Sequence, residues 1–236
     1  MKIVINQKYS SLNSFVENLP NIFNDQGEII YKERNILKCY SIDDYDIVVK
    51  RFKKPHIINR IAYTFFRSSK AKRSYEYALK LLELGVDTPA PIAYIEQFKC
   101  GLLTHGYLIS IYEKEYSIIR DLMDGVQVDD DLLNALAIYI VNLHQNGVLH
   151  LDISPGNLLY KRVGDDVQFT AVDINRMQFI NDISTEMRFK NFNRLSENRE
   201  VLTKIAKYYA AATNLDEQEA IQKIIKYSAK FFSNRK

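Results

Sequence analysis

The stretch His150-Leu151-Asp152-Ile153-Ser154-Pro155-Gly156-Asn157 puts an aspartate and an asparagine in one short loop. A strand-like run, Val167 to Thr170, then leads into Ala171-Val172-Asp173. A His-x-Asp-x-x-x-x-Asn segment followed by an aspartate at a strand end suits phosphoryl transfer. In that chemistry Asp152 accepts the proton of an attacking hydroxyl, which needs an acceptor within hydrogen-bond reach. The amide oxygen of Asn157 and the carboxylate of Asp173 hold magnesium on nucleotide phosphates, because a hard cation takes oxygen ligands. Each piece alone is more often a turn or a cap. The conjunction, in this order, after a helix and around a hairpin, is what points to chemistry. His150 is expected to brace the loop through a backbone hydrogen bond rather than to react.

Phosphoryl transfer also needs a cation on the phosphates. Lys50 ends Ile47-Val48-Val49-Lys50, close in form to a Val-Ala-Ile-Lys strand. Glu76 lies on the helix that follows and is the expected partner of Lys50. Neighbouring Arg51, Lys53 and Lys54 leave the register of that lysine open. One part is missing: no Gly-x-Gly-x-x-Gly precedes Lys50, and only Gly27 stands before Gly85. The turn Lys32-Glu33-Arg34-Asn35 would have to cover the phosphates, through Arg34 or backbone amides. Asp173 is followed by Ile174-Asn175-Arg176 rather than Phe-Gly, and no Ala-Pro-Glu comes later. An ordinary peptide-binding activation segment is therefore not expected.

The elements that must carry these residues can be read in outline. Ile29-Ile30-Tyr31, Ile36 to Tyr40 and Asp46 to Phe52 read as strands, with Pro55 ending the third. Residues 1 to 25 give no clear pattern. Ser69 to Leu84 reads as a helix capped by Ser68 or Ser69 and stopped by Gly85. Its apolar stripe is Ala71, Tyr75, Ala78 (or Leu79) and Leu82, with Glu76 at the border. Ile92 to Glu96 and Gly106 to Tyr112 are two more strands, and Glu113 to Ser117 is a polar crossing. Beyond it the texture turns helical. Asp129 to Asn146 carries the apolar face Leu132, Leu136, Tyr139 and Leu143 and ends at Gly147. Leu158-Leu159-Tyr160 and Val167 to Thr170 form a hairpin around Gly164-Asp165-Asp166. Asp216 and Glu219 resemble a capping box. The expected class is α+β: a β-rich lobe with one main helix over residues 1–113, and a helical lobe over 114–236.

Composition excludes little and allows a sizeable core. Of 236 residues, 47% are apolar and 26% charged, with 16 Tyr, 12 Phe and no Trp. Cys39 and Cys100 make no disulfide framework and no metal-like spacing, which fits a reducing compartment. Neither a signal-like N-terminus nor an apolar run long enough for a membrane span is visible, so a cytoplasmic location is expected. The net charge of +3 is unremarkable, but its distribution is not. From Lys50 to Arg73 there are nine basic residues and no acidic one, interleaved with Phe52, Ile57, Ile58, Ile61, Tyr63, Phe65 and Phe66. Such a stretch suits an anionic membrane surface or a phosphorylated substrate. A solvated basic face over ordinary core residues, or a nucleic-acid site, are the other readings. The phosphoryl-transfer residues favour the lipid surface over nucleic acid.

Together these segments resemble the lipopolysaccharide core kinases, the Kdo/heptose kinase family of protein-kinase-like sugar kinases. The resemblance runs from about Tyr31 to Phe179 and rests on five segments: Val48 to Phe52, Ser69 to Glu76, Gly85 to Pro91, His150 to Asn157, and Asp173 to Met177. The short chain and missing glycine loop fit that family better than they fit Ser/Thr kinases. Ser154, where a protein kinase has lysine, points the same way. The resemblance implies a bilobal protein-kinase-like fold. It implies ATP and Mg2+ as cofactors, and phosphorylation of a sugar hydroxyl on the lipid A core glycolipid at the inner face of the cytoplasmic membrane. No nucleic acid and no obligate protein partner are expected. Three rival readings remain: a small-molecule kinase of the aminoglycoside type, a protein kinase, and a pseudokinase that binds without turnover.

Overall fold

The computed structural model describes residues 1–124 and 129–235. The chain divides into two compact units, one of residues 1–83 with 89–114 and the other of 84–88 with 115–236.

The first unit holds β1 (Lys2–Ile5), α1 (Asn13–Ile22), β2 (Glu28–Lys32), β3 (Ile36–Ile42), β4 (Tyr45–Arg51), α2 (Ile57–Phe65), α3 (Lys70–Glu83), β5 (Pro91–Lys99) and β6 (Leu102–Ile111). Its strands form one six-stranded antiparallel sheet in the order β1-β5-β6-β4-β3-β2. Side chains alternate across a sheet, so β4 serves two faces. Ile47 and Val49 point into a core with Val16 and Leu19 of α1, Ile92, Ile95 and Ile109. Phe52, just past β4 on the other parity, packs with Ala71 and Tyr75 of α3 and Tyr94. Lys50 shares that parity.

Three α-helices stand in this unit where one was expected. The unpatterned N-terminus is β1, which pairs with β5, and α1, which fills the core. The basic stretch contains α2, a helix that buries none of its residues and so shows no core-facing stripe in the sequence. Helix α3 starts as foreseen, with the Ser69 hydroxyl accepting from the Lys72 N–H at 3.1 Å. Its stripe needs one correction. Ala71, Ser74, Tyr75, Ala78 and Leu81 are buried, whereas Leu82, in the last turn, is 39% exposed.

The second unit holds β7 (Ser117–Ile118), α4 (Arg120–Met123), α5 (Asp130–Gln145), β8 (Val148–His150), β9 (Leu158–Val163), β10 (Asp166–Ala171), β11 (Met177–Phe179), α6 (Thr185–Asn191), α7 (Arg199–Thr213) and α8 (Glu217–Ser233). Helix α5 buries Leu132, Leu136, Tyr139 and Leu143 as its spacing predicts, and the Asp129 carboxylate caps it on the Leu132 N–H at 3.0 Å. Gly147 ends it in the left-handed region, at φ +70°, where the Ile180 carbonyl leaves no room for a Cβ. The hairpin β9–β10 pairs Leu158 with Ala171 at its open end. The Asp216 carboxylate accepts from the Glu219 N–H at 2.7 Å and caps α8. No helix among the described residues is long and apolar enough to cross a membrane.

A buried polar chain ties α5, α6 and α7 together. Asn191 donates its Nδ2 to the His150 carbonyl at 3.0 Å, so its Oδ1 faces His144 Nε2 at 3.1 Å and must accept. Nε2 therefore carries the proton, and Nδ1 accepts from the Tyr209 hydroxyl at 2.7 Å. Burial pushes the His144 imidazole down to about 4 from 6.5 and the Tyr209 hydroxyl up to about 12.

Two outcomes follow. Leu136→Ala, at a site with no solvent exposure, should lower unfolding free energy by about 2–5 kcal/mol in a denaturant titration. His144 stays neutral in the fold while the unfolded chain takes a proton near its ordinary pKa. Its contribution is therefore fully present above that value and lost as pH falls toward about 4. That loss is about 3 kcal/mol at its limit. His144→Gln should flatten the dependence of Tm on pH across this window, whatever its absolute stability.

Candidate active site

The second unit gathers three of the five residues singled out by the sequence: Asp152, Asn157 and Asp173. Strand β8 delivers His150, fully buried, and pairs with β11 through His150 and Met177. The chain then turns: the Ile153 N–H returns to the His150 carbonyl at 3.1 Å, and the buried Ile153 side chain pins the loop. A 3-10 turn at Pro155–Asn157 follows, with proline in its first turn.

His150 works structurally, as its sequence context suggested. Its Nδ1 accepts the Asp152 backbone N–H at 3.2 Å, which leaves Nε2 to donate to the Val172 carbonyl at 3.2 Å. Burial pushes this imidazole below its ordinary pKa, which agrees with a neutral ring serving two backbone groups. The Val172 N–H in turn donates to the Asn157 carbonyl at 2.9 Å. Both polar groups of one peptide segment thus bind the loop, and Asp173 comes next in the chain.

The end of β10 is fixed from its other side as well. The Ala171 N–H donates to the Asp87 carbonyl at 3.2 Å, and the Thr88 hydroxyl donates to the Ala171 carbonyl at 2.8 Å. The Tyr139 hydroxyl reaches the same Asp87 carbonyl at 3.2 Å. Asp173 itself adopts the left-handed conformation, φ 55° and ψ 40°, and its Oδ1 accepts from Asn175 Nδ2 at 2.6 Å. Asp and Asn tolerate this region better than other non-glycine residues, and such backbone outliers gather at functional sites.

Asn157 donates its Nδ2 to the Asp152 carbonyl at 2.8 Å. The nitrogen end is thereby engaged within the loop, and the oxygen end is the one offered to a cation. Asp152 is met by two guanidinium groups. Arg194 forms a close ion pair with its Oδ1, and Arg176 lies 3.5 Å from its Oδ2. Neither arginine was singled out from the sequence. Arg176 was noted only as a departure from Asp-Phe-Gly, and Arg194 sits in a polar run with no pattern of its own. A third guanidinium, of Arg120, sits where a Cβ on Gly156 would come within 3.4 Å of it.

The first unit carries the other two residues. Lys50 pairs across β4 with Leu37 and Leu108, and its ammonium lies 5.4 Å from the Phe52 ring. Arg51 belongs to the opposite face: it stacks on Phe23 at 4.4 Å and bonds Asn24 Oδ1 at 2.8 Å. Of these two neighbours, Lys50 is the one on the face that α3 covers. Glu76 is on the exposed flank of α3 and lies 3.6 Å from Lys72 one turn earlier.

Among the described residues no cluster of three or more His, Cys, Asp or Glu stands ready to hold a metal alone. One carboxylate and one amide oxygen suit a magnesium ion, which keeps waters and takes substrate phosphates for the rest of its shell.

Three comparisons say what the chain is similar to. A solved structure described as WaaP in complex with acyl carrier protein aligns at a TM-score of 0.65 and 17% identity, over 99% of this chain and 98% of that one. That likeness establishes the protein-kinase-like fold. Calcium/calmodulin-dependent protein kinase type IV of Mus musculus and of Homo sapiens is 32% identical over 108 residues, 45% of this chain. The match spans 20% of those kinases' length. The model of the lipopolysaccharide kinase (Kdo/WaaP) family matches residues 37–221, most of the chain, including Lys50, Glu76, Asp152, Asn157 and Asp173 but not the turn Lys32–Asn35. The chain belongs to the lipopolysaccharide kinase (Kdo/WaaP) family.

Proposed function

We propose that this protein transfers the terminal phosphoryl group of ATP to a sugar hydroxyl, Kdo or heptose, of the lipopolysaccharide inner core. The observation that carries the reading is the double tether of Val172, to His150 and to Asn157, which holds Asp173 beside the loop of Asp152.

Asp152 orients the acceptor hydroxyl and takes its proton. Phosphoryl transfer passes through a loose transition state in which the proton leaves late, so a positioned carboxylate serves without being a strong base. Arg194 and Arg176 fix that carboxylate's orientation. Asn157 Oδ1 and the Asp173 carboxylate are the magnesium ligands. Lys50 takes the nucleotide phosphates, and Glu76 exchanges Lys72 for Lys50 when it does so. Magnesium bound here supplies charge neutralisation on the transferring group. The turn Lys32–Asn35 replaces the glycine loop.

The acceptor is the lipid A core glycolipid, and the basic stretch Lys50–Arg73 suits the anionic surface that presents it. The place of action is then the inner face of the cytoplasmic membrane. The similarity to calmodulin-dependent kinases over part of the chain favours one alternative, transfer to a protein or a small polar molecule. Phosphate appearing on a peptide panel or an aminoglycoside, and none on core glycolipid, would select it. ATP binding without turnover on any of these would select the pseudokinase.

Asp152→Ala should lower turnover on core glycolipid by at least about a hundredfold, the scale of a lost general base. Wild-type turnover in that variant would reject the role. Asp173→Asn keeps the left-handed conformation but removes a charge, so it should raise the magnesium concentration needed for half-maximal rate by about tenfold or more. Mass spectrometry of core glycolipid from cells with and without the protein identifies the sugar.

A further inference from the structure

Helix α2 is built outside-in. Its polar residues Arg60 and Thr64 face the protein, where Arg60 Nε donates to the Leu103 carbonyl at 2.8 Å and the Leu103 N–H donates to the Thr64 hydroxyl at 3.1 Å. Its isoleucines and Phe65 face out, while Tyr63 lines a cavity against the protein. Ile58 is 78% exposed, Phe65 68% and the following Phe66 84%, and Ile57 and Ile61 are exposed beside them. Apolar surface gathered on one face of one element marks a contact with something absent.

Charge says what that something is. A cavity of about 210 Å³ lies beside the N-terminal half of α2, floored by Phe52, Ala71 and Gly106. Arg34, Lys53, Lys54, His56 and Lys70 line it, and no acidic residue does. A second copy of the chain would bring cationic rim against cationic rim, which opposes self-association through this face. A nine-residue helix cannot span a bilayer. An apolar helix face with basic residues at its border is the form of an interfacial anchor.

We propose that α2 docks on an anionic phospholipid bilayer. Ile57, Ile58, Ile61, Phe65 and Phe66 enter the headgroup layer, and Lys53, Lys54 and Lys70 take lipid phosphates at the cavity. This deepens the reading in which the acceptor is a membrane glycolipid, yet it is measured without phosphoryl transfer. The two signals act together, since neither a few apolar side chains nor a few charges alone hold a protein on a membrane.

The test uses the full chain, without nucleotide, on vesicles of phosphatidylcholine alone or mixed with phosphatidylglycerol. The wild type should partition onto mixed vesicles at least about tenfold more strongly than onto neutral ones. Ile58→Glu with Phe66→Glu, both at exposed positions, should weaken that partition by at least about tenfold while thermal unfolding stays unchanged. Lys53→Gln with Lys54→Gln should reduce the preference for anionic vesicles. Failure of the wild type to bind, equal binding to both vesicle types, or undiminished binding by the glutamate variant overturns the proposal. So does a solution dimer that Ile58→Glu dissociates. Vesicle binding without transfer to any sugar acceptor upholds the anchor and overturns the functional reading. Transfer to detergent-solubilised glycolipid without vesicle binding does the reverse.

Discussion

One buried imidazole sets the geometry of the second unit. His150 joins the Asp152 N–H to the Val172 carbonyl, two backbone groups far apart in sequence, and it can do so only as a neutral ring with its proton on Nε2. Buried backbone groups must be paired, so the ring satisfies two obligations at once. Because it is fully enclosed, no water competes for either bond. A rigid frame of this kind is what a reaction governed by positioning requires.

Asp152 and Asp173 have different partners. Asp152 is compensated by Arg194 and Arg176 within the same unit. Asp173 has a neutral amide, Asn175, on one of its oxygens. Two carboxylates near one another are therefore given different environments. One is steadied by fixed cations, which suits contact with an uncharged hydroxyl. The other accepts from a neutral amide on one oxygen. Environment separates the roles of like side chains in many sites, and the proposed division of roles between Asp152 and Asp173 rests on these different partners.

The candidate residues could be picked out of the sequence because their segments are local and chemically unusual. The loop from His150 to Asn157 and the strand end at Asp173 each declare their residue types within a few positions. The helices with one buried stripe, α3 and α5, were readable for the same reason, as was the cap of α3 at Ser69. What escaped notice was whatever depends on partners distant in the chain. Arg194 meets Asp152 only after α6 has folded back. The N-terminal strand β1 is ordered by β5, and nothing in Lys2–Ile5 announces that. Helix α2 was hidden because its stripe faces outward, so that its apolar residues looked like insertions in a basic run.

The Asn191 amide makes the loop answerable to the far end of the chain. Through it the His150 carbonyl is joined to His144 and on to Tyr209 in α7. During synthesis the whole Asp152–Asp173 segment leaves the ribosome before Tyr209 does. A chain arrested in that interval would carry Asp152, Asn157 and Asp173 and lack the support behind them. The backing of the loop is thus completed late, when the closing helices arrive.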